Sequence, residues 1–216
     1  MNFFKRASTI ISEEGIITFF KKVLTFCTFS IFEIRRVIIF ELDLEHLFIK
    51  IVPPMDLSFR LATVRDIESM DYDNYNYNDK AKDYSIWRLE KGDRCILSLH
   101  NDQIVGYTWI MKDYMELSKR KHIGISENRV YTYNGFVLRE YRRKRIFAAL
   151  DLYVTRMLKK ENKRYRISIV AQHNKAAINS REKMGFKKLG EIVHIKFLGV
   201  IYPYIQKEIL NYLITP

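Results

Sequence analysis

The spacing of apolar residues along the chain predicts where helices and strands lie. Ile146, Ala149, Leu150, Tyr153 and Met157 share one helical face, which predicts an amphipathic helix over residues 146–161. Shorter helices are predicted at 63–70, 175–184 and 204–213. Runs of apolar, β-branched and aromatic residues predict strands at 36–43, 57–62, 95–100, 104–111, 129–138, 164–171 and 190–198.

The order of these elements predicts the fold class. Strand, helix, strand, helix and strand follow one another between residues 129 and 198, which predicts a sheet with a crossover helix. The hairpin at 95–111, closed by the tight turn Asn101-Asp102-Gln103, adds antiparallel strands. The expected fold class is therefore α/β (α+β), with a mixed, mostly antiparallel twisted sheet flanked by helices.

The N-terminal part of the chain differs from the rest. Residues 1–35 are predicted to be helical, and Pro53-Pro54 breaks the chain after the strand 36–43. We therefore predict a helix and strand extension at 1–54 and a main domain at 55–216. The apolar residues of the extension cover more than one stripe, so its helix either packs on the main domain or contacts a membrane surface through residues 10–36. Its best apolar run, at 23–32, is too short to span a bilayer, and no export signal is expected.

Positive charge is concentrated in one stretch of the chain. The 216 residues carry 37 Lys and Arg against 25 Asp and Glu, a net charge of +12. Sixteen of the bases and four of the acids lie within residues 139–188, so this stretch has the net charge of the whole chain. Such a field attracts polyanions: the phosphates of a small ligand, nucleic acid or anionic lipid. A solvated basic face is the alternative.

The amino-acid composition excludes several classes of protein. A hydrophobic share of 48% and an aromatic share of 14% exclude global disorder. Cys27 and Cys95 allow at most one disulfide, so a reducing, cytoplasmic setting is expected. The His and Cys residues show no metal-ligand spacing, and no metal is expected.

The turn between strand 129–138 and helix 146–161 is suited to binding an anion. At such a turn the free backbone N–H groups and the helix dipole point outward, and a phosphate fits there. Five bases strengthen the same field: Arg139, Arg142, Arg143, Lys144 and Arg145.

This segment resembles the central motif of the GNAT superfamily of N-acetyltransferases, a strand followed by (Gln/Arg)-x-x-Gly-x-(Gly/Ala) at the start of a long helix. The chain has Phe136-Val-Leu-Arg-Glu-Tyr-Arg-Arg-Lys-Arg-Ile-Phe-Ala-Ala-Leu150, with Arg142 at the first motif position. Arg145 and Phe147 stand where the family has Gly and Gly or Ala. Arg145 is compatible with the motif if it has ordinary helical backbone angles and its side chain turns outward.

A second motif supports the same resemblance. Asn174-Lys-Ala-Ala-Ile-Asn-Ser-Arg-Glu-Lys-Met-Gly-Phe186 is similar to the family's later Asn-x-x-Ala-x-x-x-Tyr-x-Lys-x-Gly-Phe, and Ile104-Val-Gly-Tyr107 looks like its third strand. The resemblance covers about residues 57–200. It implies a GNAT-like fold and an N-acyltransferase that uses acetyl-CoA, or another acyl-CoA, as co-substrate.

The resemblance also implies a cofactor site. The pantetheine arm would lie between two splayed strands, and the pyrophosphate would rest on the amides of residues 142–147. The residues implied to contact the cofactor are Phe136, Val137, Leu138, Arg142, Arg143, Lys144, Arg145, Ile146, Phe147, Asn174 and Arg181. The backbone N–H of Val137 would also stabilise the oxyanion formed during transfer.

The catalytic base and acid of the family are not matched. Relatives often carry a carboxylate near the positions of Tyr133 and Asn134, which are expected here to position a water unless the amine loses its proton to solvent. The family's later Tyr, which reprotonates the thiolate, is replaced by Arg181, and an Arg cannot act as a general acid near neutral pH. Arg181 is left with three interpretations: it stabilises a thiolate, holds a phosphate, or is a solvated helix residue.

The acceptor implied is a small-molecule, sugar or peptide amine that attacks the thioester directly in a ternary complex. The acids of the tract Asp71–Asp83 could attract a cationic amine. No nucleic-acid partner is expected, because no recognised nucleic-acid motif is present. Two alternative functions stay open: a basic nucleic-acid-binding module and a catalytically inactive GNAT scaffold. A homodimer is compatible with the sequence.

Overall fold

The computed structural model of the protein describes residues 15–18, 21, 32–45, 55–75, 77, 79–118, 121–198 and 200–215. Cys27, Pro53-Pro54 and most of the segment 10–36 assigned to a membrane surface lie outside these residues. Residues 16–18 and 21 are helical, as expected, but residues 32–35 belong to a strand, so the helix predicted to extend to residue 35 is wrong there. No helix among the described residues is long and apolar enough to span a membrane.

The elements follow the predicted order, with additions. The strands within the described residues are β1 (Phe32–Asp43), β2 (Ser58–Leu61), β3 (Arg94–His100), β4 (Gln103–Met111), β5 (Tyr114–Ser118), β6 (Lys121–Gly124), β7 (Arg129–Val137), β8 (Tyr165–Ala171), β9 (Lys187–Phe197) and β10 (Val200–Ile205). After the helical residues 16–18 and 21, the α-helices of the described residues are α1 (Val64–Ser69), α2 (Tyr72–Tyr75), α3 (Asp79–Glu90), α4 (Ile146–Lys160), α5 (Lys175–Lys183) and α6 (Lys207–Ile214). Tyr204 and Ile205, predicted to begin the last helix, lie in β10 instead.

Eight of these strands form one mixed sheet in the order β10-β9-β1-β8-β7-β4-β3-β2. Its neighbouring strands are antiparallel except β7 and β8, which run parallel and are connected through the crossover helix α4. The predicted fold class is therefore confirmed. In the β3–β4 hairpin, Asn101 and Asp102 have φ values of 49° and 61°, which is typical of the tight turn expected there.

Strand β1 lies inside this sheet. It pairs with β8 along Val37–Asp43 and with β9 along Phe32–Glu41. Residues 32–43 are therefore part of the main domain, which corrects their assignment to an extension at 1–54.

Helices cover both faces of the sheet. Side chains alternate along each strand, so neighbouring residues of β1 pack on opposite faces. Ile38 and Phe40 of β1 pack with the buried stripe of α4 and with α5. Ile39, between them, faces the opposite side and packs with α6 and the β5–β6 hairpin. This arrangement packs α4 against β3, β4 and β7, and the turn before α4 follows the end of β7.

Candidate active site

Strands β7 and β8 pair over a short length and then separate. Their parallel pairing covers Arg129–Thr132 of β7 and Tyr165–Ser168 of β8. Beyond Thr132, β7 follows β4 through an irregular register, and Asn134 there has a left-handed φ of 48°. A gap therefore opens between residues 133–137 of β7 and 169–171 of β8.

A cavity of about 620 Å³ lies between β7, β8 and the N-terminal ends of α4 and α5; we call it the β7–β8 cavity. Its lining includes ten of the residues implied by the motifs, namely Tyr133, Asn134, Val137, Arg142, Arg143, Arg145, Ile146, Phe147, Asn174 and Arg181. It also includes Ala148 and Ser168, which sequence reasoning missed.

Three implied residues do not line this cavity. Leu138 is buried, and the ring of Phe136 stacks on Tyr107 with 5.3 Å between ring centres. The Lys144 ammonium lies over Tyr141, 5.1 Å from its ring centre. Side-chain contacts from these three residues to a ligand in the β7–β8 cavity are therefore not supported.

The turn that precedes α4 contains two non-glycine residues with positive φ. Arg143 has a φ of 65°, and Arg145, the N-cap residue of α4, has a φ of 57°. Arg145 therefore does not meet the condition of ordinary helical angles under which it would be compatible with the motif. A residue with a Cβ pays roughly 1 kcal/mol or more for this conformation, whereas Gly adopts it freely. The Gly of the family motif is thus explained by backbone geometry.

Replacing Arg145 by Gly is expected to stabilise the fold. Gly removes the cost of the left-handed conformation but adds freedom to the unfolded chain, so the free energy of unfolding should rise by up to about 1 kcal/mol. Arg143→Gly should raise the free energy of unfolding to a similar extent, because Arg143 also has a positive φ. Arg142→Gly is the control, because Arg142 has a φ of −66° and should lose about 0.5–1 kcal/mol. Thermal unfolding of the three variants tests this, and a lower melting temperature for Arg145→Gly would contradict it.

The first turn of α4 offers backbone N–H groups at the β7–β8 cavity. Ile146, Phe147 and Ala148 line the cavity and are the first three residues of the helix, so their N–H groups have no partner within it. The N–H of Ala149 is the first to bond back, to the Arg145 carbonyl at 3.0 Å. Together with the helix dipole, these groups favour an anion such as a phosphate.

Strand β7 directs one further N–H into the gap. The N–H of Leu138 donates to the Val105 carbonyl in β4 at 3.0 Å. The N–H of the adjacent Val137 therefore points to the opposite edge, where β8 no longer pairs. The Val137 carbonyl accepts from Arg142 Nε at 3.1 Å, which ties the basic turn to the strand.

Arg181 is buried, with 7% of its surface exposed, so the interpretation as a solvated helix residue is wrong. Its guanidinium pairs with one carboxylate oxygen of Asp151 in α4, and the other oxygen pairs with the fully buried Arg166 of β8. We call these three residues the Asp151 cluster. Two guanidiniums and one carboxylate leave it with a net charge of +1.

Phe147 extends from α4 across the β7–β8 cavity. A Cβ on Gly135 of β7 would lie 2.4 Å from Cε2 of Phe147, so the ring packs directly on the glycine backbone. On the other side, Cζ of Arg181 lies 5.1 Å from the ring centre. The aromatic ring thus lies between β7 and the Asp151 cluster.

Asn174 has a structural role that the motif alone did not reveal. It is the N-cap of α5, and its Oδ1 accepts a hydrogen bond from the N–H of Ala177 at 3.1 Å. Because Oδ1 is occupied, the side chain of Asn174 can offer its amide nitrogen as a hydrogen-bond donor to a ligand in the cavity.

A second polar cluster surrounds Tyr133. The Tyr133 hydroxyl donates to Asp93 at 3.0 Å and accepts from Arg88 at 2.8 Å. Arg88 also pairs with Asp93 and with Glu116 of β5. Burial, and then the charge of Asp93, raise the pKa of Tyr133 well above its ordinary value, so the phenol is not a base near neutral pH.

The carboxylates of the Tyr133 cluster come from elements other than β7. Asp93 precedes β3, and Glu116 lies in β5, which the sequence did not predict. Neither belongs to a motif, and both reach Tyr133 through tertiary packing alone. No local sequence signal would have found them.

A model of the acetyltransferase (GNAT) family matches residues 61–186. No curated protein matches the chain.

Solved structures share the fold at low sequence identity. A functionally unknown conserved protein from Staphylococcus epidermidis is 17% identical, with a TM-score of 0.56, over 85% of this chain and 68% of that one. An acetyltransferase of the GNAT family from Colwellia psychrerythraea is 12% identical, with a TM-score of 0.56, over 82% of this chain and 61% of that one. A GCN5-related N-acetyltransferase from Kribbella flavida is 12% identical, with a TM-score of 0.53, over 86% and 65% of the two chains. The chain thus spans less than two thirds of the last two proteins, and at these identities the likeness shows the fold alone.

Proposed function

Because the chain belongs to the acetyltransferase (GNAT) family, whose co-substrate is acetyl-CoA, we propose that it is an N-acyltransferase. It moves an acyl group from acetyl-CoA, or another acyl-CoA, to an amine by direct attack in a ternary complex. The observation that carries this proposal is the gap between β7 and β8 beside the free N–H groups of α4.

The lining and the volume of the β7–β8 cavity support coenzyme A as its ligand. The pyrophosphate would rest on the N–H groups of Ile146, Phe147 and Ala148. The exposed side chains of Arg142 and Arg143 would each add up to about 1 kcal/mol as screened charge contacts. The pantetheine arm would lie along the unpaired edge of β7. A volume of about 620 Å³ is within the range of small-molecule sites.

The acyl carbonyl would lie at the N–H of Val137, which points into the gap. Attack by the amine places negative charge on the carbonyl oxygen, and a donor already directed at that oxygen contributes about 3 kcal/mol to the transition state. Breaking the carbon–sulfur bond then releases coenzyme A as a thiolate.

The proton of the amine is proposed to leave through the cluster at Tyr133. Glu116 is the better general base of its two carboxylates, because 21% of its side chain is exposed against 7% for Asp93. Tyr133 would orient the water that carries the proton, since Arg88 and Asp93 hold its hydroxyl in place. The role of Asn134 in positioning water stays a prediction.

The acceptor is proposed to be a small-molecule, sugar or peptide amine. The carboxylates of Asp93 and Glu116 would attract its cationic form. Tyr84 and Trp87 of α3 are 47% and 44% exposed and stack with 5.6 Å between ring centres. Tyr84 also contacts Arg88, so these aromatic faces adjoin the same cluster.

One observation favours an inactive scaffold as the second candidate. Phe147 stands where the resemblance implies Gly or Ala, and its ring lies in the cavity that the cofactor would enter. In that case the chain would keep the fold without transferring acyl groups.

Thiol release separates the two candidates. The full-length protein is mixed with acetyl-CoA and a panel of sugar, peptide and small-molecule amines, and free thiol is followed with a colorimetric reagent. At least one amine should raise thiol release above the rate with acetyl-CoA alone. If cofactor binds but no amine in the panel has an effect, the inactive scaffold is favoured.

A further inference from the structure

The Asp151 cluster has an unbalanced positive charge at the β7–β8 cavity. Asp151 is fully buried and uses both carboxylate oxygens, one for Arg166 and one for Arg181. Arg166 is satisfied within the protein: besides Asp151, it donates to the hydroxyl of Thr132 at 3.0 Å and to that of Thr155 at 3.2 Å. The excess charge is therefore located on Arg181, the member that lines the cavity.

Arg181 has hydrogen-bond donors that the protein leaves unused. Its Nη1 donates to Asp151, whereas its Nε and Nη2 make no hydrogen bond to any residue in the described part of the chain. The guanidinium is nevertheless held in place, with Cζ 5.1 Å from the ring centre of Phe147 and 4.9 Å from that of Phe186. A fixed cation with free donors in a cavity favours an anion as its ligand.

The buried position of Arg181 indicates which kind of anion it binds. The exposed bases Arg142, Arg143 and Arg145 surround the α4 N-terminus, where hydrated phosphates have access. Arg181 is instead 7% exposed, and its partner Asp151 lies five residues beyond Ile146, about 7.5 Å deeper along the helix. That depth favours a single sulfur at the end of a slender arm over a hydrated, doubly charged pyrophosphate.

We propose that Arg181 stabilises the sulfur of coenzyme A as a thiolate, which makes a general acid unnecessary. The inference rests on the proposed acyl transfer. In that step the amine nitrogen bonds to the carbonyl carbon, the carbon–sulfur bond breaks, and its electron pair stays on sulfur. The proton lost by the amine passes through the water at Tyr133 to Glu116, the base of the proposed transfer. The thiolate is then balanced by the charge of the Asp151 cluster.

The test measures binding rather than turnover. The affinities of coenzyme A and of desulfo-coenzyme A, which lacks the thiol, are determined by calorimetry across the pH range in which a thiol ionises, near about 8.5. If Arg181 favours the thiolate, the pKa of the bound thiol lies below that of the free thiol. The affinity for coenzyme A then rises about tenfold per unit of that shift as the pH increases between the two values, and it is constant above both. Desulfo-coenzyme A should not show this rise.

Two variants test whether the pH-dependent rise in coenzyme A affinity arises from Arg181. Arg181→Met removes the charge, leaves a neutral Asp151–Arg166 pair and should abolish the pH-dependent rise for coenzyme A while changing desulfo-coenzyme A affinity less than about threefold. Arg181→Lys keeps a cation and should retain part of the rise. Thermal unfolding verifies that both variants fold.

The outcomes separate this inference from the proposed function. Equal pH dependence for coenzyme A and its desulfo analogue in the wild-type protein would overturn the role of Arg181 while leaving cofactor binding intact. An equal loss of about tenfold or more for both ligands in Arg181→Met would show that Arg181 holds a phosphate instead. Failure of the wild-type protein to bind either ligand would overturn the proposed function itself.

Discussion

A chain that begins at Met55 is expected not to fold. Such a chain lacks β1, which lies between β8 and β9 in the sheet that carries the cavity. Four β1 side chains are at most 6% exposed, namely Ile38, Ile39, Phe40 and Leu42. Burying each contributes about 1.5–3 kcal/mol, so their loss removes roughly 6–12 kcal/mol. That amount is comparable to the whole stability of an ordinary domain, about 5–15 kcal/mol. The two neighbouring strands would also lose their hydrogen-bond partner.

A matched chain that begins at Phe32 distinguishes the contribution of β1 to folding from that of residues 1–31. This chain keeps the strand and is expected to fold, with a cooperative thermal transition. The chain from Met55 should show no such transition by circular dichroism and should aggregate, because β8 and β9 become open edges. A cooperative transition for the Met55 chain near the melting temperature of the full-length protein would contradict the central position of β1.

The position of β1 within the sheet could not be predicted from local sequence patterns. The strand itself was predictable from its β-branched residues, but its neighbours were not, because pairing with β8 and β9 joins segments more than a hundred residues apart. Pro53-Pro54 suggested a boundary between domains. Two consecutive prolines disfavour regular secondary structure locally, whereas the extent of a sheet depends on which apolar faces are buried together.

Elements with a strong periodic pattern were predicted, and weakly patterned ones were missed. Helix α4 has a continuous apolar stripe and was found almost to the residue. Helix α3 has no such stripe, and its buried residues are Ser85 and Arg88, so apolar periodicity could not reveal it. The β5–β6 hairpin, at residues 114–124, is also short and polar in part.

The cavity was predicted in outline, because its residues cluster in two motifs. The turn 142–147, apart from Lys144, and the β7 edge at Val137 line the same cavity. The left-handed angle of Arg145 was missed, since the chain has a side chain where the motif has Gly. The partners of Tyr133 and Arg181 were also missed, because Asp93, Glu116 and Asp151 reach them across the fold.

A single charge in the first turn of α4 is expected to abolish most cofactor binding without unfolding the protein. Ala148 is the third residue of the helix and lines the β7–β8 cavity. A carboxylate at this position stabilises a helix N-terminus by about 0.3–1 kcal/mol, so Ala148→Glu should fold at least as well as the wild-type protein. The same carboxylate repels a pyrophosphate resting on the neighbouring amides, by roughly 2 kcal/mol after screening. Ala148→Gln adds a side chain of nearly equal size without charge and controls for steric obstruction.

Calorimetric titration of acetyl-CoA into the wild-type protein, Ala148→Glu and Ala148→Gln tests the cofactor site most directly. The wild-type protein should bind, Ala148→Glu should lose affinity by about thirtyfold, and Ala148→Gln should stay within about threefold of the wild type. The loss in Ala148→Glu should shrink as salt is added, because it arises from charge repulsion. Absence of binding by the wild-type protein at millimolar acetyl-CoA, or equal affinity for the wild type and Ala148→Glu, would show that the phosphates do not rest on the α4 N-terminus.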